Sequence, residues 1–228
     1  MAALSGRLAY GAGRAARKAA LACALVLPGA AMAEPVTVVA LGDSLTAGYG
    51  LPQGQGFVPQ LQAWLDENGV DAVVENAGVS GDTTAGGLAR LDWALSNEAD
   101  AMIVALGGNA LLRALPVESS RANLDAILTR VADERGLPVL LVGLQAPGNY
   151  GPDYQRAFNA MYSDLAEAHG VARFESFLGP LTAEMPIAQA RARYLQGDGI
   201  HPNAEGVAVI VAAMGPAVAD LAARAAGE

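Results

Sequence analysis

Residues 36–45 read Val-Thr-Val-Val-Ala-Leu-Gly-Asp-Ser-Leu, a short and mostly apolar run that ends abruptly in glycine and two polar residues. A run of this length and composition is typical of a strand that is buried on both faces of a parallel sheet. The polar residues that follow it fall outside the carboxyl end of the strand, where ligands bind in open α/β sheets. This stretch therefore predicts both the fold class and the place where a site should be sought.

The rest of the chain alternates between similar runs and helical patterns. Further strands buried on both faces are predicted at 72–75, 101–106, 139–144 and 171–174. Between and after them apolar residues recur at intervals of three and four within 57–65, 88–95, 124–131, 154–165 and 207–221. Gly69, Gly136 and Gly170 each follow a helical pattern, and each is predicted to end its helix with a left-handed backbone conformation. Strict alternation of strand and helix predicts a three-layer α/β/α sandwich with a flavodoxin-like, parallel five-stranded sheet.

The first 33 residues differ in composition from the remainder. They carry four basic residues and no acidic one, then an apolar run at 19–27, then Ala31-Met32-Ala33. This order is typical of a secretory signal peptide. The alternative, a membrane anchor, is disfavoured because the apolar run is too short to span a bilayer and ends at Pro28. We therefore expect a signal peptide at 1–33, one domain at 34–228, and a periplasmic or secreted protein.

Charge and residue content exclude several kinds of function. Four of the 14 basic residues lie in the leader, so 10 remain against 23 acidic ones, a net charge of −13. Because a strongly acidic protein repels polyanions, we expect no nucleic-acid partner. We also expect no stable membrane insertion and a monomer. The single cysteine, Cys23, and the single lysine, Lys18, also lie in the leader. Thiol nucleophiles, pyridoxal cofactors and P-loops are thereby excluded, and we expect neither a cofactor nor a metal.

Four polar blocks fall after predicted strands or ahead of the last helix. They are Gly42-Asp43-Ser44-Leu45, the stretch 76–82, Gly107-Gly108-Asn109 and the stretch 198–203. In this wording and order they resemble the blocks of the SGNH, or GDSL, hydrolase family over the whole chain after the leader. The similarity is to the bacterial periplasmic branch that combines thioesterase, lysophospholipase and arylesterase activities.

The resemblance implies a role for each block. Ser44 would be the nucleophile, His201 the base that accepts its proton, and Asp198 the acceptor that fixes the histidine tautomer. The oxyanion hole would consist of the backbone N–H groups of Ser44 and Gly81 and the side-chain amide of Asn109. The ordinary alternatives are a helix N-cap for Ser44, a turn carboxylate for Asp198, a turn glycine for Gly81 and an Asx turn for Asn109.

The substrate is indicated less directly. The loop 145–151 offers apolar surface with one aromatic side chain, which favours a small-molecule acyl or aryl ester or thioester. Leu111, Pro147 and Tyr150 are the candidate substrate-binding residues. Alternatives are a carbohydrate O-acetyl esterase and, in another class, a non-catalytic ligand-binding module of the same fold. At Ala110 the sequence departs from the resemblance, which has Asp there, and this leaves open how firmly the segment 111–116 is held.

Two histidines compete for the role of base. His169 lies in the final turn of a helix predicted to begin near Pro152, where a ring donor interacts well with the last carbonyl groups. His201 lies on a loop with Asp198 three residues before it. We therefore expect His201 to be the base and His169 to be an ordinary helix-end residue.

The signal peptide gives the first testable prediction. Cleavage after Ala33 should leave an exported protein that begins at Glu34, and N-terminal sequencing of the secreted or periplasmic fraction measures this directly. An exported chain that still contains Arg14 or Lys18 would contradict the prediction.

Overall fold

A five-stranded parallel sheet forms the centre of the structure. The computed structural model describes residue 2 and residues 34–95 and 98–227; apart from residue 2, the predicted signal peptide lies outside the described residues. The strands are β1 (Val36–Gly42), β2 (Ala72–Gly78), β3 (Ala101–Ala105), β4 (Val139–Val142) and β5 (Ala172–Phe174). Their order in the sheet is β2-β1-β3-β4-β5, with all four pairings parallel. The prediction of a flavodoxin-like sheet is confirmed.

The helices cover both faces of this sheet. They are α1 (Ser44–Ala47), α2 (Phe57–Glu67), α3 (Thr84–Ala89), α4 (Leu91–Ala94), α5 (Gly108–Leu112), α6 (Val117–Leu128), α7 (Pro152–Ala168), α8 (Ile187–Tyr194) and α9 (Ala204–Ala226). Two apolar cores result because successive strand residues point to opposite faces. Val38 and Ala40 pack in the core that includes α2 and α9, whereas Val39 and Leu41 pack in the core that includes α6 and α7. The predicted three-layer sandwich is confirmed.

Three of the predicted elements differ in detail. The prediction that every strand is buried on both faces was wrong for the two edge strands: in β2 Val73 is 45% exposed, whereas its neighbours Ala72 and Val74 are buried. An edge strand needs only one apolar face, so its side chains alternate. The single helical pattern at 88–95 is in fact two short helices, α3 and α4, which meet at Arg90.

The three predicted helix ends are confirmed. Gly69, Gly136 and Gly170 have φ angles of +70°, +68° and +61°, a region that residues with a side chain seldom adopt. Helix α6 continues as a π-helical segment, Thr129–Glu134, before it reaches Gly136. The ends of the helices are therefore set by local sequence at these positions.

The last helix, α9, is long and apolar enough to cross a membrane by composition alone, but half of its most apolar stretch is buried inside the protein. Ile210, Met214 and Val218 are fully buried in the core. Gly215 lies against the ring of Trp64 on α2, where a Cβ atom would come within 2.5 Å. These contacts are those of a core helix.

His169 closes helix α7 in a way that the sequence did not indicate. The expectation that its ring would contact the last carbonyl groups was wrong, since Nδ1 lies 2.8 Å from Asp133 and Nε2 lies 3.0 Å from Asp125. Carboxylates only accept, so both ring nitrogens must donate, which is the imidazolium form. Burial lowers the pKa of His169, but the hydrogen bonds to Asp125 and Asp133 outweigh it and raise the pKa above its ordinary value.

This arrangement predicts a pH-dependent loss of stability in His169→Ala. Because the folded pKa lies above the unfolded value of about 6.5, the imidazolium stabilises the fold fully below that pH, and its contribution disappears as the pH rises through the folded pKa. Urea unfolding should show the variant to be less stable than the parent by about 1–2 kcal/mol at pH 6 and by clearly less at pH 9. The exposed Arg156→Ala is the control. An equal difference at both pH values would contradict the prediction.

Candidate active site

Ser44 is the first residue of helix α1, directly beyond the end of β1. Asp43 caps this helix by accepting a hydrogen bond from the backbone N–H of Leu45 at 3.0 Å. Two glycines allow the tight approach: a Cβ on Gly42 would lie 1.9 Å from Thr46 Oγ1, and one on Gly78 would lie 2.4 Å from the nitrogen of Ala47. The hydroxyl of Ser44 is thereby fixed at the carboxyl edge of the sheet.

His201 faces Ser44 from the loop that precedes α9. Its Nε2 lies 2.8 Å from Ser44 Oγ, and its Nδ1 lies 2.6 Å from Asp198 Oδ2. Because a carboxylate at Nδ1 requires a proton there, Nε2 is left free to accept from the serine hydroxyl. The structure thus brings together the three residues that the sequence selected.

Asp198 is fixed by its own loop. Its second oxygen, Oδ1, accepts from the backbone N–H groups of Ile200 at 2.9 Å and His201 at 3.0 Å. The hydrogen bond from the His201 side chain, together with these backbone donors, lowers the pKa of Asp198 to about 2. The carboxylate is therefore ionised across the physiological range, and its negative charge faces the imidazole ring.

Two residues that hold this loop were missed by sequence reasoning. Gln196 donates from Nε2 to the carbonyl oxygens of Tyr49 at 2.8 Å and Pro202 at 2.9 Å, which ties the His201 loop to the segment after α1. The ring of Tyr49 lies against the imidazole, with the centroids 4.6 Å apart. Both acceptors are backbone carbonyls, so no pattern of side chains could have revealed Gln196; Tyr49 was visible only as an aromatic five residues after Ser44.

The candidate oxyanion donors come from three neighbouring strand ends. Asn109 lies in α5, after β3, and its Nδ2 is 3.5 Å from Asp43 Oδ2. Gly81 lies after β2 with a φ angle of +88°, and its carbonyl accepts from Arg113 Nη2 at 2.9 Å. Arg113 caps the helix that carries Asn109. The chain segments that carry the second and third donors are thus directly connected.

Asp43 is the buried carboxylate of the site, with 2% of its surface exposed. Burial raises its pKa, while the hydrogen bond from Leu45, the charge of His201 and the hydrogen bond from Asn109 act in the opposite direction. Sequence reasoning noted Asp43 only as part of a motif. Asp43 is next to Ser44 in the chain and accepts from Asn109, so it links these two residues.

The surroundings of Ala110 show how the segment 111–116 is held. Its side chain is fully buried, and its carbonyl accepts from the N–H of Leu115 at 2.9 Å. The hydroxyl of Tyr154 donates to the carbonyl of Leu115 at 3.1 Å. The segment 111–116 is therefore held by backbone and tyrosine hydrogen bonds, without a carboxylate at position 110.

An apolar groove extends from the site. A cavity of about 120 Å³ next to Ser44 is lined by Leu45, Leu111 and Leu144 among others, and it shares Leu112, Leu178 and Ile200 with a second cavity of about 330 Å³. Leu178, Ile187, Ala190 and Leu195 give the second cavity a mostly apolar wall, with Arg191 also lining it. We call the two cavities together the acyl groove. An extended apolar group of a ligand held at Ser44 would fit along it.

The three predicted substrate-binding residues lie at different distances from Ser44. Leu111 lines the first cavity and Pro147 the second. Tyr150 lines neither of them within the described part of the chain. Its ring packs edge-on against Tyr154, and its hydroxyl donates to the carbonyl of Leu112, a residue of the groove wall, at 3.4 Å.

Comparison with known proteins agrees with this geometry. Residues 40–209 match the model of the GDSL-like Lipase/Acylhydrolase family. The chain is 41% identical over 167 residues to Esterase TesA of Pseudomonas aeruginosa, covering 73% of this chain and 79% of the relative. It is 35% identical over 169 residues to Thioesterase 1/protease 1/lysophospholipase L1 of Escherichia coli strain K12, covering 73% of this chain and 76% of the relative.

A solved structure gives the same result. The SGNH-hydrolase family esterase AlinE4 superimposes with a TM-score of 0.66 at 41% identity, over 83% of this chain and 97% of AlinE4. Fold and sequence similarity thus extend together over most of the described residues. The chain belongs to the GDSL-like lipase/acylhydrolase family and is a carboxylic ester hydrolase.

Proposed function

We propose that the chain hydrolyses esters and thioesters through an acyl-enzyme formed on Ser44, with His201 as general base and Asp198 as the carboxylate that orients it. The observation that carries this proposal is the pair of hydrogen bonds that runs from Ser44 Oγ through the imidazole to Asp198, at 2.8 and 2.6 Å. Both distances are short enough for direct proton transfer and for tautomer control.

In the first half of the reaction Ser44 Oγ attacks the acyl carbonyl carbon while its proton passes to His201 Nε2. The carbonyl oxygen becomes negative, and the donors proposed for it are the N–H groups of Ser44 and Gly81 and the amide of Asn109. The tetrahedral intermediate then collapses, and the imidazolium gives its proton to the departing alcohol or thiol. In the second half His201 takes a proton from a water molecule while the water oxygen attacks the acyl carbon. The imidazolium then returns the proton to Ser44 Oγ as the bond between the acyl carbon and Oγ breaks, and the acid is released.

The substrate class proposed is a small-molecule ester or thioester with an apolar acyl chain. The wall of the acyl groove supports this, because it is built mainly from leucine, isoleucine, alanine and proline. Relatives named esterase and thioesterase/lysophospholipase support it as well. A carbohydrate acetyl ester is not favoured by these relatives, and family membership argues against a non-catalytic binding module.

Export is part of the proposal. The basic, apolar and Ala-x-Ala regions of residues 1–33 support removal of a signal peptide and a location in the periplasm or outside the cell. The remaining chain, with its net charge of −13, would act there as an acidic enzyme that needs no disulfide.

The catalytic assignment predicts a clear separation of the two histidines. Turnover of a short-chain nitrophenyl ester should fall by roughly 10⁴-fold or more in Ser44→Ala and in His201→Ala, and by less in Asp198→Asn, which keeps the shape but loses the charge. His169→Ala, the matched control, should keep kcat/KM within a few-fold of the parent. A fluorophosphonate probe should label the parent and fail to label Ser44→Ala. An active His201→Ala enzyme beside an inactive, folded His169→Ala enzyme would overturn the assignment.

The acyl groove predicts a chain-length effect for Ile187→Ser. Ile187 lines the second cavity and is 66% exposed, so its replacement should not disturb folding. With octanoyl esters kcat/KM should fall by roughly 4- to 15-fold, the loss expected for one or two buried methylene groups at about 0.8 kcal/mol each. Acetyl esters, which do not reach Ile187, should be unaffected.

Trp93→Ser supplies the control for this experiment. Trp93 is 73% exposed and lies on α4, where it lines neither cavity of the groove, so its loss should change no rate at any chain length. Equal effects of Ile187→Ser on acetyl and octanoyl esters would contradict the proposed path of the acyl chain.

A further inference from the structure

Arg90 connects two segments of the site, the end of β1 and the turn that contains Gly81. It stands at the junction of α3 and α4, and its Nη2 donates to the carbonyl of Gly42 at 2.8 Å, while its Nε donates to Asp82 Oδ2 at 2.6 Å. Gly42 lies two residues before Ser44, and Asp82 directly follows Gly81. One guanidinium therefore bonds a backbone carbonyl two residues before Ser44 and the side chain of the residue that follows Gly81.

Backbone hydrogen bonds bring the same two segments together. The carbonyl of Gly42 also accepts from the N–H of Val79 at 3.0 Å, and the N–H of Asp82 donates to the carbonyl of Val79 at 3.1 Å. The turn 79–82 is thus attached to the end of β1 at one point by the backbone and at a second point by Arg90. The second attachment restricts the rotation of the turn as well as its position, and the direction of the Gly81 N–H depends on that rotation.

A purely stabilising role does not explain this arrangement well. The side chains of Arg90 and Asp82 are 17% and 18% exposed, and Arg90 Nη1 is buried with no partner in the described part of the chain. Removing such charges from water costs much of what their attraction gains, so a semi-buried ion pair is weak evidence for stability. An apolar side chain would fill the same space, whereas it could not orient Gly42 and Asp82.

We propose that Arg90 is a positioning residue, which holds the N–H groups of Ser44 and Gly81 in the fixed relation that oxyanion stabilisation requires. This inference rests on the proposed function, because it presumes attack by Ser44. Preorganised donors stabilise the transition state only when they lie at about 2.7–3.1 Å from the developing oxyanion. A displacement of the Gly81 turn by a fraction of an ångström would weaken this interaction and leave the binding of the neutral substrate nearly unchanged.

The experiment compares kcat, KM and the inhibition constant of an alkyl boronic acid, which forms a tetrahedral adduct with the active serine. Arg90→Met should lower kcat by roughly 10²-fold, with KM changed by no more than a few-fold, and should weaken the boronic acid by a similar factor. Arg90→Lys should recover part of the loss because an ammonium group can reach one of the two acceptors. Asn109→Ala, which removes a proposed donor outright, sets the scale at roughly 10²-fold in kcat.

A second variant separates positioning from stability. A Cβ on Gly86 would lie 2.6 Å from Asp82 Oδ1, so Gly86→Ala must displace the carboxylate that Arg90 holds. Alanine is favoured over glycine in a helix, so the melting temperature should be unchanged or higher while kcat falls by roughly 3- to 10-fold. If Arg90 and Asp82 served only to stabilise the fold, a variant as stable as the parent should keep the parent's kcat. A lower kcat at equal or higher stability therefore indicates positioning.

Arg121→Met is the matched control, since it removes an arginine from an exposed ion pair with Asp164, on α6 and α7, and should change neither kcat nor the boronic acid constant. Full kcat in folded Arg90→Met, or an unchanged boronic acid constant, overturns the inference. If Arg90→Met does not fold, full kcat in both Arg90→Lys and Gly86→Ala overturns it equally. Ser44→Ala is measured beside them: if it remains active, the proposed function fails, whereas failure of the Arg90 inference alone leaves Ser44→Ala inactive.

Discussion

The hydrogen bond between His201 Nε2 and Ser44 Oγ joins residues that are 157 positions apart in the chain, and it sets the accuracy that the rest of the fold must provide. Proton transfer requires the two atoms within about 3.2 Å. Ser44 meets this condition because Gly42 and Gly78 let α1 approach the sheet without a Cβ in between. His201 meets it because Gln196 fastens its loop to the carbonyl of Tyr49. The catalytic contact is thus the result of backbone packing at the edge of the sheet.

Much of this arrangement could be predicted from local sequence. The apolar runs predicted all five strands, and Gly69, Gly136 and Gly170 predicted three helix ends, because burial and left-handed backbone leave a residue-level signature. The strand-end rule pointed to the block of Ser44, and the resemblance to the SGNH hydrolases selected Ser44 and His201 together. Residues that act through backbone carbonyls, such as Gln196 and Arg90, could not be found in this way, since any residue offers the same acceptor. The alternation of the edge strand β2 likewise depends on neighbours that a single run does not show.

The three carboxylates near the site, Asp43, Asp82 and Asp198, differ in environment, and each environment fits a different role. Asp198 is partly exposed and accepts three hydrogen bonds, so it holds a negative charge at little cost. Asp43 is buried, where a negative charge is costly. Its hydrogen bonds with the backbone N–H of Leu45 and with the Asn109 amide hold α1 and Asn109 in position. Asp82 accepts a hydrogen bond from Arg90, with which it forms an ion pair. Asp198 contacts the imidazole and has a lowered pKa, and both observations support its proposed role of stabilising an imidazolium.

The two arginine side chains that hold the Gly81 turn lie on one side of Ser44, and the acyl groove lies on the other. Towards the β2 edge, Arg90 and Arg113 hold the Gly81 turn through charged hydrogen bonds. Towards β4 and β5 the surface is apolar, and Leu112, Ile187 and Ile200 are exposed along it. Apolar contacts are tolerant of changes in side-chain shape, whereas the oxyanion donors require fixed distances. Substitutions in the groove should therefore leave the proposed oxyanion donors in place, so that the proposed acyl binding and the proposed oxyanion stabilisation depend on separate sets of residues.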